Sequence, residues 1–456
     1  MKKLIKLIVL ILVLAGLTVG YVLYSNYVAE QEQGNTDISE DTSVEVLKID
    51  ESSVVSIEYT YDEEVILLKK AEDKWLWAED EDFPLDQSYP EYMLYDLSNV
   101  IADRLIAENL DNEADFGMDE PKIVVNYETA NGEKYVYTIG DYNSTAECYY
   151  IKSSASDKIY MTKNSAAEPF VYYILEMADV GSLDEFEAEK VTSVEYTVGG
   201  KAYALTTDSS GADFYTEPYN YFYVGGDGIK VAADGVASGE FLNSVEALAL
   251  GDVVAFKPDA EKLSACGLDE NTKLVLKVTY DEDVSAEETD TSVTVTKSNS
   301  CSVIVGKGVN EEGEEAYYAM LEGSELLYEL SGGKSFFEDL AVDFESKLVC
   351  PISSDETVAV KVEVGNVVYF YDIDDIKNSE KLTSVFNGIT GLVSVGKSDK
   401  EKGEMAARVT FEVNDIDLVL TLFACDENNY IAAFDKADNL LVSKESVDNI
   451  IKELQS

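Results

Sequence analysis

The chain has 456 residues, 90 of them acidic and 34 basic, for a formal charge of −56. That balance excludes nucleic acid and anionic lipid surfaces as partners, because phosphate recognition needs a basic footprint. Histidine is absent and arginine occurs only at Arg104 and Arg408. This removes Ser-His and Cys-His nucleophile pairs, His-ligated metal and haem, and nearly all bidentate phosphate clamps.

Residues 1–6 form a stub carrying Lys2, Lys3 and Lys6, and the stretch from Leu7 to Tyr24 is almost wholly apolar. As a helix, eighteen such residues rise about 27 Å, close to the ~30 Å hydrocarbon core of a bilayer. Tyr21, Tyr24 and Tyr27 stand where an aromatic belt sits, and bulky residues fill the place where a signal peptidase would want small ones. The pattern predicts an uncleaved single-pass anchor over 7–28, with the C-terminal ectodomain outside the cytoplasm. Ala15, Gly16 and Gly20 are the small residues that would let this helix pack closely against another. Residues 29–44 read as an acidic tether.

The ectodomain repeats itself. VSIEYTY (Val55–Tyr61) and TSVEYTV (Thr192–Val198) both alternate as half-buried strands, and Val360–Gly365 is a weaker third copy. A turn and an aromatic strand follow in the first two copies, at Asp73–Trp77 and at Gly211–Tyr215. Next comes a helix. In the first copy Asp86 caps it, and Met93, Leu94, Leu97, Ile101 and Leu105 recur at helical spacing. The second helix carries Phe241, Leu242, Val245 and Leu248, and the third Leu382, Val385, Phe386 and Ile389. Phe116–Pro121 (FGMDEP) and Cys266–Asn271 (CGLDEN) then share a glycine-acid motif, which the third copy lacks. Gly117, Asp119, Gly267 and Asp269 are expected to carry structure rather than chemistry. Each copy closes on a strand pair, and Tyr149 to Tyr160 spans the same interval as Tyr317 to Tyr328. An equal interval implies an equal hairpin register. The insert Asp281–Ser300 lengthens a hairpin of the second copy. The expected fold class is α+β: repeated units of antiparallel sheet plus one main helix, at 45–180, 181–345 and 346–456.

This order of elements resembles the family known as domain of unknown function 4340 (DUF4340). The residues carrying the resemblance are Lys74-Trp75, the helix after Asp86, Phe116–Pro121, Ile139-Gly140, and the closing hairpin with Tyr150 and Ile159-Tyr160. The resemblance implies a protein anchored by one N-terminal helix, and in some members an association with ABC-type exporters. It brings no catalytic residues with it.

Other signals read as structure. Ser331 and Lys334 fit an S-x-x-K acylating pair, but no K-T-G strand accompanies them, and a loop and helix start is expected there. Asp372–Asp375 and Asp281–Asp283 lack the spacing of a calcium loop and are expected to be solvated surface. Tyr59, Tyr150, Tyr196 and Tyr318 are expected in the core or in cross-strand packing. Cys148, Cys266, Cys301, Cys350 and Cys425 read as small buried residues, with a Cys266–Cys301 bridge left open.

No catalytic residue, cofactor or metal is expected. The reading is a non-enzymatic, membrane-anchored extracytoplasmic accessory or binding protein. By the resemblance, its partners are the permease and ATPase subunits of an ABC-type exporter. The alternative is a stand-alone module binding envelope polysaccharide or protein.

Overall fold

The computed structural model describes residues 43–107, 113–163, 166–287 and 290–456. The expected stub, the anchor with Ala15, Gly16 and Gly20, and nearly all of the tether lie outside the described residues. Among the described residues no helix is long and apolar enough to cross a membrane. The chain forms two compact units, one ending at Val180 and one spanning Gly181–Ser456. Both are α+β and built on antiparallel sheet.

The first unit holds β1 (Val44–Lys48), β2 (Val54–Tyr61), β3 (Glu64–Ala71) and β4 (Lys74–Trp77), then the helix Ser88–Ser98. After the helix come β5 (Asn99–Ala102), β6 (Arg104–Ala107), β7 (Ile123–Thr129), β8 (Lys134–Asn143), β9 (Cys148–Ser153) and β10 (Ile159–Lys163). The main sheet runs β4-β3-β2-β7-β8-β9-β10-β6, and β1 pairs with β5 apart from it.

The second unit contains two sheets. The first has β11 (Val191–Val198), β12 (Lys201–Thr206), β13 (Phe222–Val224), β14 (Lys230–Ala232), β15 (Ala249–Phe256), β16 (Leu274–Glu287), β17 (Asp290–Val309), β18 (Glu315–Leu321) and β19 (Leu326–Ser331). Its order is β14-β13-β12-β11-β16-β17-β18-β19-β15. The other has β20 (Thr357–Val364), β21 (Val367–Asp372), β22 (Ser394–Lys397), β23 (Met405–Val413), β24 (Ile416–Ala424), β25 (Asn429–Phe434) and β26 (Ala437–Ser443). It runs β21-β20-β23-β24-β25-β26-β22.

All three sheets follow one plan. An opening hairpin (β2–β3, β11–β12, β20–β21) places its first strand against the first strand of a four-stranded meander. A helix intervenes, and the strand after it (β6, β15, β22) closes the far side on the last meander strand. The opening strand carries a bulge at the same place each time. The register against the meander slips between Val54 and Ser56, between Val191 and Ser193, and between Thr357 and Ala359. Turn chemistry sets the hairpins: Asp62-Glu63 and Gly199-Gly200 both have positive φ, the twist that a two-residue connection needs. The equal tyrosine intervals are equal registers, since Tyr160 faces Ile151 and Tyr328 faces Ala319, each two residues past the first tyrosine.

The helices cover one sheet face. Gly235–Glu246 starts on Asp234, whose carboxylate accepts from the N–H groups of Val236 and Ala237. It buries Phe241, which meets Phe336 and Phe344 at 5.8 and 5.2 Å between ring centroids. The helix Glu380–Thr390 starts on Ser379 and sets Phe386 edge-on to Phe411 at 5.9 Å. Fully burying one such ring is worth about 2–3 kcal/mol. Tyr59, Tyr196 and Tyr318 are buried, and half-buried Tyr150 packs edge-on to Phe116. All five cysteines are free: Cys266 packs with Leu268, Tyr318 and Leu327, while Cys301 packs against the separate core around Val194.

Two expectations fail. The first helix ends at Ser98, so Ile101 lies on β5 and Leu105 on β6. The β-branched run Val100-Ile101 finds a strand partner in β1, and pairing overrides the apolar spacing. The second aromatic strand is Phe222–Val224, not within Gly211–Tyr215. An Asx turn at Asp208 diverts the chain, with Lys230 donating to the Asp208 and Ser210 carbonyls, and leaves Phe214 and Tyr215 in a loop.

The shared glycine motif is a helix stop set against a strand. Gly117 N–H donates to the Ala114 carbonyl and Met118 N–H to that of Glu113; Gly267 and Leu268 repeat this with Ser264 and Leu263. These are Schellman caps with glycine at positive φ. Each cap lies on a second glycine of the following hairpin. A Cβ at Gly140 would stand 2.2 Å from the Phe116 carbonyl oxygen, and one at Gly306 2.4 Å from that of Cys266. Asp269 accepts from Asn271 N–H and the Thr272 hydroxyl, turning the chain toward β16, whereas Asp119 is solvent-exposed ahead of Pro121.

Gly267→Ala should therefore be far costlier than Gly313→Ala. Both have positive φ, but a Cβ at Gly267 would meet the Lys307 carbonyl at 2.2 Å, while Gly313 faces open space. Urea denaturation of the full chain should give a loss of about 3 kcal/mol or more for the first and about 1 kcal/mol for the second. Equal losses would contradict the close crossing.

Candidate functional site

The segment from Phe344 to Val349 works as a bridging strand inside the second unit. On one side Ser346 N–H donates to the Ala232 carbonyl and Asp234 N–H to that of Phe344, at 2.8 Å each. On the other side Val349 N–H donates to Leu392 at 2.9 Å, and Ser394 N–H to Lys347 at 2.7 Å. The expected boundary at 345/346 falls within this segment, which ties β14 to the approach of β22.

Over the bridging strand lies a cleft of about 640 Å³. One wall is the loop with Asp213, Phe214, Tyr215 and Tyr219, together with Val231 of β14. The other is β22 with the tip of the β25–β26 hairpin, from Phe434 to Leu440. Phe214, Tyr215 and Tyr219 are half-buried, with ring surface left to offer, and Leu348 and Val395 stand exposed on floor and wall. Tyr215 is braced by its hydroxyl, which donates to Glu356 at 3.3 Å.

Charges of both signs ring the mouth. Lys436, in the tight turn after Asp435, forms an ion pair with Asp213 on the facing wall. Lys347 pairs with Asp343 at 2.8 Å and Glu345 at 3.4 Å. Hydrogen bonding to Asp343 and to Asp213, respectively, pushes the Lys347 and Lys436 ammonium groups up, so both stay cationic. A hydrogen bond from Lys402 holds the Asp438 carboxyl below its usual range. Lys397 adds a third cation on β22. In chemical terms the cleft offers apolar ring faces inside and fixed, opposed charges outside, a surface suited to holding a ligand.

The other sequence candidates lie elsewhere. Lys334 is in the first turn of the helix Gly333–Leu340, which follows Gly332 at positive φ, and pairs with Glu338 at 3.9 Å. Asp283 is engaged by Lys190 and the Thr296 hydroxyl. Asp374 and Asp375 open the short helix Ile373–Lys377. Among the described residues no group of three cysteine or carboxylate side chains is placed to hold a metal ion.

Phe214 and Tyr215 were visible in the sequence but read as strand. Tyr219, Lys347, Lys397 and Lys436 carried no readable signal beyond the scarcity of lysine in so acidic a chain, because the cleft joins segments far apart in sequence.

Fold and cleft together define a repeat-built α+β protein with a ligand-sized site between two of its sheets. Residues 75–271 match the family described as Domain of unknown function (DUF4340). The match takes in both glycine caps, Gly117 and Gly267. No curated protein and no solved structure matches the chain.

Within the first unit, Asp96 is raised from 3.8 to about 6, by burial first and then by the Glu168 charge. The folded state thus holds this proton more tightly than the unfolded chain. Asp96 weakens the fold as pH rises from about 4 to about 6, and the loss is complete above that. Asp96→Asn should make the full chain more stable than wild type at pH 7, by about 1–2 kcal/mol after allowance for partial solvation, and equal to it near pH 4. Urea denaturation at both pH values checks this; a gap that does not close on acidification would rule it out.

Proposed function

We propose that the chain is a non-enzymatic extracytoplasmic binding protein that engages its ligand or partner in the cleft between Phe214–Tyr219 and the β25–β26 hairpin. The observation carrying this reading is the conjunction of half-buried aromatic faces with charges already neutralised by partners. A binding surface uses ring faces and fixed ion pairs to orient what it holds. Acid–base chemistry near neutral pH instead wants a group poised to exchange a proton. Lys347, Lys436 and Asp438 are each held in their charged forms. The charge of −56 disfavours polyanions, so neutral glycans and neutral or basic polypeptide segments fit best.

The location is part of the proposal. Residues 7–28 would hold the chain in the membrane with the rest outside, and Ala15, Gly16 and Gly20 would face a second helix. Association with the permease and ATPase of an ABC-type exporter rests on the family resemblance. A stand-alone polysaccharide- or protein-binding role rests on the aromatic cleft. Protease added to intact cells should shave the ectodomain and leave a short membrane fragment. Full protection of the chain would defeat the topology.

A photo-crosslinking residue in place of Tyr219 tests the cleft in living cells, with Tyr95, an exposed position of the other unit, as reference. The cleft position should give an adduct that the reference does not. A multi-span permease in the adduct supports the exporter role, and a glycan or another protein the stand-alone role. No adduct above the reference would overturn the cleft as the binding site.

A further inference from the structure

We propose that β21 is a strand acceptor: it takes an extended antiparallel strand from a partner protein, with an aromatic side chain opposite Tyr371 and a basic residue beside Asp372 and Asp374. The three sheets supply the argument. Their shared bulge makes Ile57, Val194 and Val360 equivalent, each one residue after Ser56, Ser193 and Ala359. In the first sheet Ile57 pairs with Leu68, and Leu68 with Trp77 on β4. In the second Val194 pairs with Leu205, and Leu205 with Tyr223 on β13. In the third Val360 pairs with Tyr371, and among the described residues no strand lies beyond. Two sister sheets cover this position with a short aromatic strand of their own chain. The third runs from β21 straight into the helix Ile373–Lys377.

The edge left open has none of the usual protection. An edge strand is ordinarily blunted by lysine, proline or a bulge. β21 reads Val-Val-Tyr-Phe-Tyr-Asp and pairs with β20 in unbroken register from Ala359↔Asp372 to Val364↔Val367. Tyr371 is half-buried, whereas Leu68 and Leu205, its equivalents under the sister strands, are 0% and 1% exposed; on the other face Val368 and Phe370 are 59% and 64% exposed. On the outer side every second residue's N–H and C=O point away from β20, ready to bond an added strand.

Charge selects the occupant. An antiparallel strand enters with its N-terminal end beside the C-terminal end of β21, where Asp372 and Asp374 stand. In the first sheet that place is taken by Lys74, which heads β4 opposite Ala71. A basic residue there complements the acids. A second copy of the chain would bring another −56 charges to the contact, so like-charge repulsion disfavours self-pairing.

The test uses a fluorescent peptide with the sequence of residues 74–78 (Lys-Trp-Leu-Trp-Ala), preceded by two lysines, and the full chain in mild detergent. Saturable binding is expected. It should weaken at least tenfold when Val368 and Phe370 are both changed to Lys, and equally when both are changed to Glu, with the melting temperature unchanged in each. The Glu pair separates loss of the edge from charge repulsion of the basic peptide. A peptide with proline in place of leucine should not bind. Absence of saturable binding, or binding that survives both double variants, overturns the proposal. So does wild-type self-association that either double variant abolishes, which would put a second copy on this edge. The outcome is independent of whether the cleft binds a ligand.

Discussion

Everything in each sheet depends on one long-range contact, the pairing of the opening strand with the first meander strand: β2 on β7, β11 on β16, β20 on β23. It closes a loop that contains the helix and the edge strands, so its entropic cost falls before any reward from packing. The bulge at the start of each opening strand raises the local twist. That twist lets one helix lie across the sheet, with Phe241 against Phe336 and Phe344, or Phe386 against Phe411. Without this pairing the hairpin and the meander would be two half-sheets, neither with a covered face.

The glycine caps act in support of that contact. A Schellman stop at Gly117 or Gly267 turns the chain out of its helix within two residues and delivers Met118 or Leu268 to a buried site. The same turn presses backbone against backbone at Gly140 and Gly306, where no side chain fits. The two halves of the family resemblance, the glycine-acid motif and the Ile-Gly strand, are thus one point of contact in space. Segments separated in sequence carry glycine because they touch.

Legibility followed the range of the interaction. Alternating strands, hairpin intervals and the helix start at Asp86, whose carboxylate accepts from the Ser88 N–H, are local, and they could be read. The end of the first helix at Ser98 could not, because β5 is made a strand by β1, far back in the chain. Phe214 and Tyr215 have strand composition, yet Lys230 fixes a turn ahead of them by bonds to Asp208 and Ser210. The cleft was least legible of all. Its ion pair joins Asp213 to Lys436, and its floor is a linker whose strand-like role exists only between two sheets. No periodicity within any one segment marks such a site.

The third sheet shows what a repeat does when elements are lost. It has no glycine-acid motif and no aromatic covering strand, and it keeps a short closing strand, β22. Its core is filled by its own helices, which bury Val385, Phe386, Ile389, Val447 and Leu454, and the bridging segment adds backbone bonds on its β22 side, so the core is closed without a further strand. That separates folding from the open edge. A surface that the fold requires would be covered by the fold, as Leu68 and Leu205 are, whereas Tyr371, at the same place in the third sheet, stays half-buried. Val368 and Phe370 are left in water, on a chain whose surface is otherwise dominated by acids, and an unbroken apolar edge there weakens solubility and adds nothing to the core. The physical account that fits such a strand is that its partner comes from another molecule.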